Sequence, residues 1–490
     1  MNKESAPAQA SNQDDPAIVK TRKANRAKRP LDENPNRPLQ LSFNSSLRGS
    51  RTPAKSVICI LALMTLAAFL ASPARSQQMS SLDRGRALEM LEEVARDVQK
   101  HYYDQTFHGV DWNAKVREAK EKILSETSLN MSLAHIAAAL DTLNDSHTFF
   151  LPPPRPFRLD YGFRTVMVGD RCFIERVRPE TDAEAKGLKS GDEVLTINGL
   201  HPTRETLWKM DYTLQVLRPQ PGLQLILRRP DGEERQVGVA AKARVTQRVT
   251  DLTGGNDIWD VVRDMENEEH LMRARSIELG AELMILKLPE FMFDQPDIDR
   301  MMAKARKHQA LILDLRGNPG GAIDTLKFLV GGIFEKDVKI ADRVGRKEMK
   351  PEVAKSRGGN AFTGKLIVLV DSKSASAAEL FARIVQLERR GLVVGDRSSG
   401  SVMEAKHYDH HVGTDTIVPY GVSITESDLI MSDGKSLEHS GVTPDEMVLP
   451  TGKDMANGRD PALSRAAGML GVRLTPEDAG KLFPFEWPKE

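Results

Sequence analysis

The sequence predicts a multidomain α/β protein from three patterns that follow one another along the chain. Apolar residues recur every three or four positions from Ser80 to about Leu143, which predicts a helical unit. Short β-like runs separated by Gly and Pro turns then predict a β-rich module over about 160 to 243. Beyond 250, strand and helix patterns alternate as far as Gly395. That alternation is typical of a mainly parallel sheet, whose ligand sites lie at strand ends.

The composition is that of a globular protein and excludes several function classes. The 69 Lys and Arg balance the 69 Asp and Glu, so the chain is not a polyelectrolyte and we expect no nucleic-acid partner. Only two cysteines are present, which excludes a disulfide framework and a Cys-built zinc site. We expect no cofactor. The length allows two to four domains at roughly 100 to 200 residues each.

The N-terminal region predicts export. Residues 1–55 are basic and rich in Pro, Asn and Ser, which predicts a disordered tail. From Val57 to Ala71 only Thr65 is polar, basic residues precede the run and small residues follow it. Residues 56–76 therefore predict a secretory signal peptide or, because the run is short, a less favoured membrane anchor. Either alternative gives a periplasmic or extracellular protein, with membrane association through 57–71 if the anchor is retained.

Breaks in the patterns divide the rest of the chain into four parts. The prolines between Leu151 and Phe157 stop helix formation and end the first part. We expect a helical unit at 78–150, the β-rich module at 157–243, an α/β core at 250–450 and a C-terminal extension at 451–490. The extension reads as irregular, with one short helix.

The β-rich module carries a recognisable run from Ala185 to Gly199, Ala-Lys-Gly-Leu-Lys-Ser-Gly-Asp-Glu-Val-Leu-Thr-Ile-Asn-Gly. This run closely resembles PDZ domains. The resemblance implies that Tyr161, Gly162 and Phe163 form the loop whose backbone N–H groups receive a peptide's C-terminal carboxylate, with the peptide added as an extra strand. The alternative is a PDZ-like module with a blocked groove.

A glycine-containing loop follows the apolar strand that ends at Leu315. Its sequence, Arg-Gly-Asn-Pro-Gly-Gly, ends in Gly320 and Gly321, which let backbone N–H groups face a ligand without an intervening Cβ. Such a loop can hold an oxyanion. The glycine spacing fits neither a Walker A motif nor a dinucleotide-binding fingerprint, so phosphate binding is not expected.

A serine stands at the next strand-to-helix turn. Ser376 follows the strand Leu366 to Val370 and precedes a helix, with Glu379 three residues on. In structural terms the pair is a helix capping box. A serine at this place is also a candidate nucleophile, because a helix N-terminus favours developing negative charge.

Three segments together resemble the C-terminal processing (tail-specific) serine peptidases, including the tricorn-type enzymes. They are Asp314 to Gly321, Ser374 to Glu379, and Gly441 to Asp445. With the helical unit and the PDZ-like module, the resemblance covers about 80 to 450. It implies the twisted βαβ core of these peptidases, which is of the ClpP/crotonase-like kind.

The resemblance also implies roles for particular residues. Ser376 corresponds to the family's nucleophile. The backbone N–H group of Ala377, with that of Gly320 or Gly321, would form the oxyanion hole.

The chain departs from the Ser-Lys branch of this family at its general base. The position that aligns with the base lysine is Ser401. Lys406 is a poor substitute, because an odd offset in an extended strand puts it on the other face, roughly 17 Å along at 3.3 Å per residue.

The tricorn-type branch suggests another base. The resemblance implies that His147, in Asn-Asp-Ser-His-Thr, takes the proton of Ser376, and that Glu438 orients the imidazole or polarises a water or hydroxyl. Ser401 is a possible neighbour in this polar network. The alternative for His147 is a helix-terminal histidine that bonds the last carbonyls of its helix.

A second group of histidines, His407, His410 and His411, has a spacing that invites a metal ion. His407 and His411 share one face of an extended strand, but nothing else nearby in the sequence completes a ligand set. We therefore expect a solvated strand and no metal site.

The sequence favours an exported serine endopeptidase that recognises polypeptide C-terminal ends through its PDZ-like module. Its partners would be polypeptide substrates or C-terminal tails. The absent lysine supports an alternative, a catalytically inactive pseudopeptidase that acts as a peptide-binding scaffold. A further alternative is binding of an apolar small molecule in a reused peptidase core.

Overall fold

The computed structural model describes residues 79–245, 272–414 and 417–487. The predicted basic tail and the signal or anchor segment lie outside these residues, as does the predicted start of the α/β core at 250. Among the described residues, no helix is long and apolar enough to cross a membrane.

The N-terminal unit is helical, as predicted. Its helices are α1 (Ser81–His101), α2 (Trp112–Ser125) and α3 (Leu129–Asp141). Leu91, Val94 and Val98, which recur at helical spacing on α1, are all buried. They share one hydrophobic cluster with residues of a later β-hairpin, among them Val422 and Ile424. The unit is therefore packed onto this hairpin.

The β-rich module forms a five-stranded antiparallel sheet in the order β3-β4-β5-β6-β7. Its strands and helices are β2 (Phe157–Asp160), β3 (Phe163–Val168), β4 (Arg171–Val177), α4 (Asp182–Ala185), β5 (Glu193–Ile197), α5 (Leu207–Tyr212), β6 (Gly222–Arg228), β7 (Glu234–Ala240) and β8 (Lys242–Val245). Strands β2 and β8 pair with each other in a separate two-stranded sheet. We call residues 157–245 the five-stranded module. Strand β3 is at one edge of its sheet.

The α/β core is built around a six-stranded sheet in the order β18-β15-β14-β11-β10-β9. Its elements are β9 (Arg275–Leu279), β10 (Leu283–Lys287), α6 (Gln295–Ala305), β11 (Ala310–Asp314), α7 (Ile323–Ile333), β14 (Lys365–Val370), α8 (Ala377–Leu387), β15 (Leu392–Gly395) and β18 (Glu446–Met447). Every pairing is parallel except that of β9 with β10. The predicted alternation and the mainly parallel sheet are confirmed.

A second, antiparallel sheet joins the N-terminal unit to the core. It contains β1 (Phe149–Leu151), β12 (Val338–Gly345), β13 (Glu352–Ala354), β16 (Met403–Val412) and β17 (Val418–Ile430). Strand β1 pairs with the first half of β17, where Phe149 lies opposite Ser423. The segment just before β1 is thereby brought to the core, although it is distant in sequence.

The C-terminal extension differs from the expected irregular segment with one helix. It contains α9 (Gly452–Ala456), α10 (Pro461–Met469) and α11 (Pro476–Ala479). Leu463 of α10 is fully buried against alternate strand residues such as Ile312 and Leu369, while Leu313 and Val368 face the cluster of α6–α8. A parallel sheet exposes apolar side chains on both faces and needs cover on each. The extension is thus the second layer of the core.

Candidate active site

The turn that carries Ser376 has a strained backbone. Ser376 has φ +54° and ψ −119°, a region that residues with a Cβ seldom occupy. Two hydrogen bonds hold its N–H group in this place, one to the Ser401 carbonyl (2.8 Å) and one to the Glu379 carboxylate (3.0 Å). Helix α8 begins at the next residue, Ala377, as predicted.

Glu379 links the nucleophile turn to the loop that follows β15. Besides the Ser376 N–H group, its carboxylate accepts hydrogen bonds from Ser398 Oγ (2.6 Å), Gly400 N–H (2.7 Å) and Ser401 N–H (3.0 Å). Burial raises the pKa of Glu379 to about 7, while these four donors act in the opposite direction. Glu379 was recognised in the sequence only as a helix-capping residue. Its place on the apolar face of α8 was the available signal that it is buried.

Gly320 packs against the nucleophile but has no free N–H group. A Cβ on Gly320 would lie 2.6 Å from Ser376 Cβ and 3.0 Å from the Ala377 nitrogen. The Gly320 N–H group donates to Asn318 Oδ1 (2.8 Å). The expectation that Gly320 supplies an oxyanion donor is therefore wrong, because the fully buried Asn318 uses that donor to fix the loop.

Gly321 and Ala377 supply the two available backbone donors. Gly321 forms a parallel bridge with Phe291, in which Phe291 N–H donates to Gly320 O (2.7 Å) and Ala322 N–H donates to Phe291 O (2.7 Å). This pattern turns the Gly321 N–H group away from Phe291. Neither Gly321 N–H nor Ala377 N–H donates to another of the residues that the structure describes. The two groups can therefore serve a ligand.

His147 lies in a tight loop between α3 and β1. Asp145 Oδ1 shapes this loop by accepting from the N–H groups of His147 (2.8 Å) and Thr148 (3.0 Å) and from Thr425 Oγ1 of β17 (2.7 Å). The imidazole Nδ1 is 2.8 Å from Ser146 Oγ. The ring thus bonds a side chain and not the last carbonyls of α3, so the helix-terminal interpretation of His147 is wrong.

Ser146 stands between His147 and Glu438. The Glu438 carboxylate accepts from Ser146 N–H (2.9 Å), Ser146 Oγ (2.9 Å) and Val402 N–H (2.8 Å). Since the Ser146 hydroxyl gives its only hydrogen to Glu438, we assign the Nδ1–H group of His147 as the donor to Ser146 Oγ. This tautomer leaves Nε2 with a free lone pair. Sequence reasoning missed Ser146, for which the signal was a hydroxyl beside the candidate base.

His147 has the charge state that a base requires. Burial lowers its pKa below the ordinary value for histidine, and the nearby Glu438 and Asp145 partly offset this effect. The imidazole is therefore neutral near pH 7 and can accept a proton.

The backbone at Ser401 and Val402 connects the two halves of the site. The Ser401 carbonyl binds the Ser376 N–H group, and the next residue, Val402, donates to Glu438. Ser401 Oγ lies 3.1 Å from Ser399 Oγ, so its side chain joins a small hydroxyl pair. Lys406 lies on β16 with its Nζ 5.3 Å from the centroid of the Tyr408 ring.

The predicted peptide-binding loop is only partly open. The Gly162 N–H group donates to Asp160 Oδ1 (2.8 Å), so the expectation that it receives a carboxylate is wrong for this residue. The Tyr161 hydroxyl donates to backbone carbonyls at Leu214 (3.1 Å) and Gln220 (2.9 Å). Phe163 begins the edge strand β3, and farther along that strand the Met167 carbonyl accepts from Ser372 Oγ of the nucleophile loop (2.6 Å).

The histidines on β16 have separate surroundings. The His407 ring lies 6.5 Å from that of Phe149, and His410 Nε2 is 2.6 Å from Asp97 Oδ2. In the ranges that the structure covers, no group of three or more His, Cys, Asp or Glu side chains can hold a metal ion. His411 lies on the exposed side of the strand.

A serine at a strand-to-helix turn and two available backbone amides are features that sites of the serine peptidase class use. Comparison with known sequences agrees. Residues 282–448 match the family model described as Peptidase family S41. Residues 86–121, within the N-terminal helical unit, match the Tricorn protease C1 domain. The resemblance to C-terminal processing peptidases is confirmed.

The individual relatives include C-terminal processing peptidases and a tricorn protease homolog. The chain is 24% identical over 322 residues to the tail-specific protease of Haemophilus influenzae, spanning 61% of this chain and 43% of that protein. It is 24% identical over 388 residues to carboxyl-terminal-processing peptidase 1 of Arabidopsis thaliana, covering 74% and 72% of the two chains. It is 31% identical over 412 residues to putative tricorn protease homolog 2 of Streptomyces coelicolor, covering 77% and 32%.

The fold is shared with a solved structure, mature CPAF. The TM-score is 0.58 at 15% sequence identity, over 77% of this chain and 95% of that one. The predicted α/β peptidase fold is confirmed. The assignment of the five-stranded module as a PDZ domain stays a prediction.

Proposed function

We propose that this chain is an exported serine endopeptidase that cleaves polypeptides after recognition of their C-terminal ends. The observation that carries the proposal is the hydrogen-bonded run from His147 through Ser146 to Glu438 and Val402, beside the Ser376 turn. It supplies a neutral, oriented base where the lysine of the Ser-Lys enzymes is absent.

The chemistry follows from these positions. His147 Nε2 removes the proton of Ser376 Oγ as that oxygen attacks the scissile carbonyl. The oxyanion that forms receives the N–H groups of Gly321 and Ala377. His147 then gives its proton to the leaving amine, and a water molecule, activated by the same nitrogen, hydrolyses the acyl-enzyme. Ser146 and Glu438 hold the imidazole and stabilise its charged form.

Substrate recognition is assigned to the five-stranded module. Relatives are named as tail-specific or carboxyl-terminal-processing enzymes, which supports polypeptide tails as substrates. Strand β3 is an edge strand, and edge strands can accept a peptide as an additional strand. The apolar run at 57–71 supports export, and with it a periplasmic or extracellular location.

The test is cleavage of an unfolded protein by the purified chain beside Ser376→Ala. We expect cleavage by the parent alone, together with labelling of Ser376 by a fluorophosphonate. Ser372→Ala is the matched control for loss of a hydroxyl in the same loop, and it keeps the nucleophile. Equal cleavage by the parent and Ser376→Ala would contradict the proposal.

One observation favours a second candidate, a catalytically inactive peptide-binding scaffold. Position 401 is a serine, and its backbone is already bound to Ser376 and Glu379. Under this candidate the folded parent neither cleaves nor reacts with fluorophosphonate. Ser401→Lys then tests whether the missing base alone accounts for inactivity.

A further inference from the structure

The five-stranded module presents two arginines directly opposite each other. Arg164 of β3 pairs in register with Arg176 of β4. Like charges at facing positions of a β-ladder destabilise it. A third arginine, Arg178, follows at the end of β4. We call these three residues the arginine surface.

Aromatic residues near the C-terminal end of the chain lie on this surface. The guanidinium carbons of Arg164 and Arg176 are 5.4 Å and 5.9 Å from the centroid of the Phe485 ring. The Arg178 guanidinium is 4.6 Å from the Trp487 ring, and the two aromatic rings meet edge to face at 5.1 Å. All three distances are within the reach of a cation–π interaction, about 6 Å. The rings therefore offset the repulsion between the facing arginines.

The same segment is anchored to the core before it reaches the module. Arg275 of β9 donates to the Pro484 carbonyl (3.0 Å), and its guanidinium lies 5.6 Å from the Phe483 ring. The segment thus runs from the edge strand β9 of the core sheet to the arginine surface of the module. Its contacts to the module are made by side chains two residues apart, as in an extended peptide that uses one face.

The arginine surface adjoins the loop assigned to peptide recognition. The backbone N–H group of Arg178 donates to the Gly162 carbonyl (2.7 Å). Arg178 Nε also lies 3.3 Å from Asp160 Oδ2, the carboxylate whose other oxygen accepts from the Gly162 N–H group. A ligand on the arginine surface therefore lies next to that loop.

We propose that the arginine surface is a binding site for polypeptide segments with two aromatic residues spaced one residue apart. In this chain, Phe485 and Trp487 occupy the site in cis. The chain's own segment then competes with any polypeptide of the same pattern. This inference goes beyond the proposed peptidase reaction, since the binding is independent of cleavage.

The experiment uses the full chain with Ser376→Ala, so that no probe is cleaved. Phe485→Ala with Trp487→Ala empties the site. The probe is a fluorescein-labelled peptide of residues 483–490, Phe-Pro-Phe-Glu-Trp-Pro-Lys-Glu, followed by fluorescence anisotropy. We expect it to bind the emptied chain at least tenfold more tightly than the chain with its own segment in place. Equal affinity for both would overturn the proposal.

Matched variants test the chemistry of the surface. Arg164→Gln with Arg176→Gln, added to the emptied chain, should weaken binding at least tenfold. Arg229→Gln, on the turn between β6 and β7 and ion-paired with Glu233, is the control and should leave the affinity unchanged. A probe with leucine at the positions of Phe485 and Trp487 should bind at least tenfold more weakly to the emptied chain. If the glutamine chain does not fold, the leucine probe decides alone, because it leaves the protein unaltered.

Discussion

The nucleophile half and the base half of the candidate site are built in different ways. Ser376 lies between β14 and α8, and the two acceptors of its N–H group, Glu379 and Ser401, come from within 25 positions of it. The base half joins Ser146 to Glu438 across 292 positions, through two hydrogen bonds. One half is a local turn inside a single α/β unit, and the other exists only after two sheets and a helical unit have packed together.

This difference shows which half of the site is more easily disrupted. The nucleophile turn keeps its geometry as long as the core is folded. The base half also depends on the short pairing of β1 with β17, three residues long, which sets the position of His147.

Among variants that keep Ser376, His147→Ala should cause the largest loss of kcat. Removal of the base histidine from a serine peptidase site costs roughly 10⁶-fold in kcat. The measurement is kcat for peptide cleavage, with His135→Ala on α3 as the control. His135 is another half-buried histidine of the same unit, 3.4 Å from Glu126, and its loss should leave kcat unchanged. A parent-like kcat for His147→Ala would place the base elsewhere.

Gly320→Ala should disable the nucleophile half without touching a reacting group. The added Cβ would lie 2.6 Å from Ser376 Cβ, so the turn must shift and the oxyanion donors with it. Loss of one such donor costs about 10²- to 10³-fold in kcat. Gly317→Ala is the matched control, because Gly317 also has a positive φ (+76°) but open space at its Cβ position. Similar losses for the two variants would show that backbone strain, not contact with Ser376, is responsible.

Glu379→Gln tests the connection behind the nucleophile. The amide keeps the size of the side chain but turns one oxygen acceptor into a donor, which then faces N–H groups that need an acceptor. We expect kcat to fall about 10²-fold with KM nearly unchanged, since the loss resembles that of an oxyanion donor. Glu388→Gln, at the end of the same helix and paired with Lys336, is the control. A loss expressed in KM alone would indicate a role in substrate binding.

Ser146→Ala should affect the base half more mildly than loss of His147. The imidazole would remain, but its Nδ1–H group would lose the acceptor that fixes its tautomer and orientation. We expect kcat to fall about tenfold to a hundredfold, at or below the lower end of the range of about 10²- to 10⁴-fold for general-base catalysis. Ser146→Thr restores a hydroxyl and should recover most of the activity. Failure of threonine to recover activity in a folded chain would show that Ser146 acts through packing.

The same contrast explains what the sequence could predict. Strand and helix alternation around Ser376 is local, so the core elements and the helix start at Ala377 follow from hydrophobic periodicity. Periodicity does not show whether Gly320 or Gly321 supplies the oxyanion donor. That depends on which N–H group donates to the buried Asn318 side chain. The role of Ser146 could not be predicted either, because it depends on a long-range contact with Glu438. The sequence predicts one short helix beyond 451, whereas the structure has three. The reason is related, because the small apolar residues of this segment are explained only by the sheet face that they cover.

The smallest effect we predict is a shift in the pH profile of the base half. Activity needs neutral His147, so it should be lost as the pH falls through the pKa of that residue, which burial holds below its ordinary value of 6.5. Glu438 raises this pKa by favouring the charged imidazole. Glu438→Gln should therefore move the acid limb of kcat/KM to still lower pH, while kcat at the plateau falls because the Ser146 contact weakens. A shift to higher pH would mean that the acid limb reports another group, and Glu379, with its pKa raised to about 7, is the group to test next.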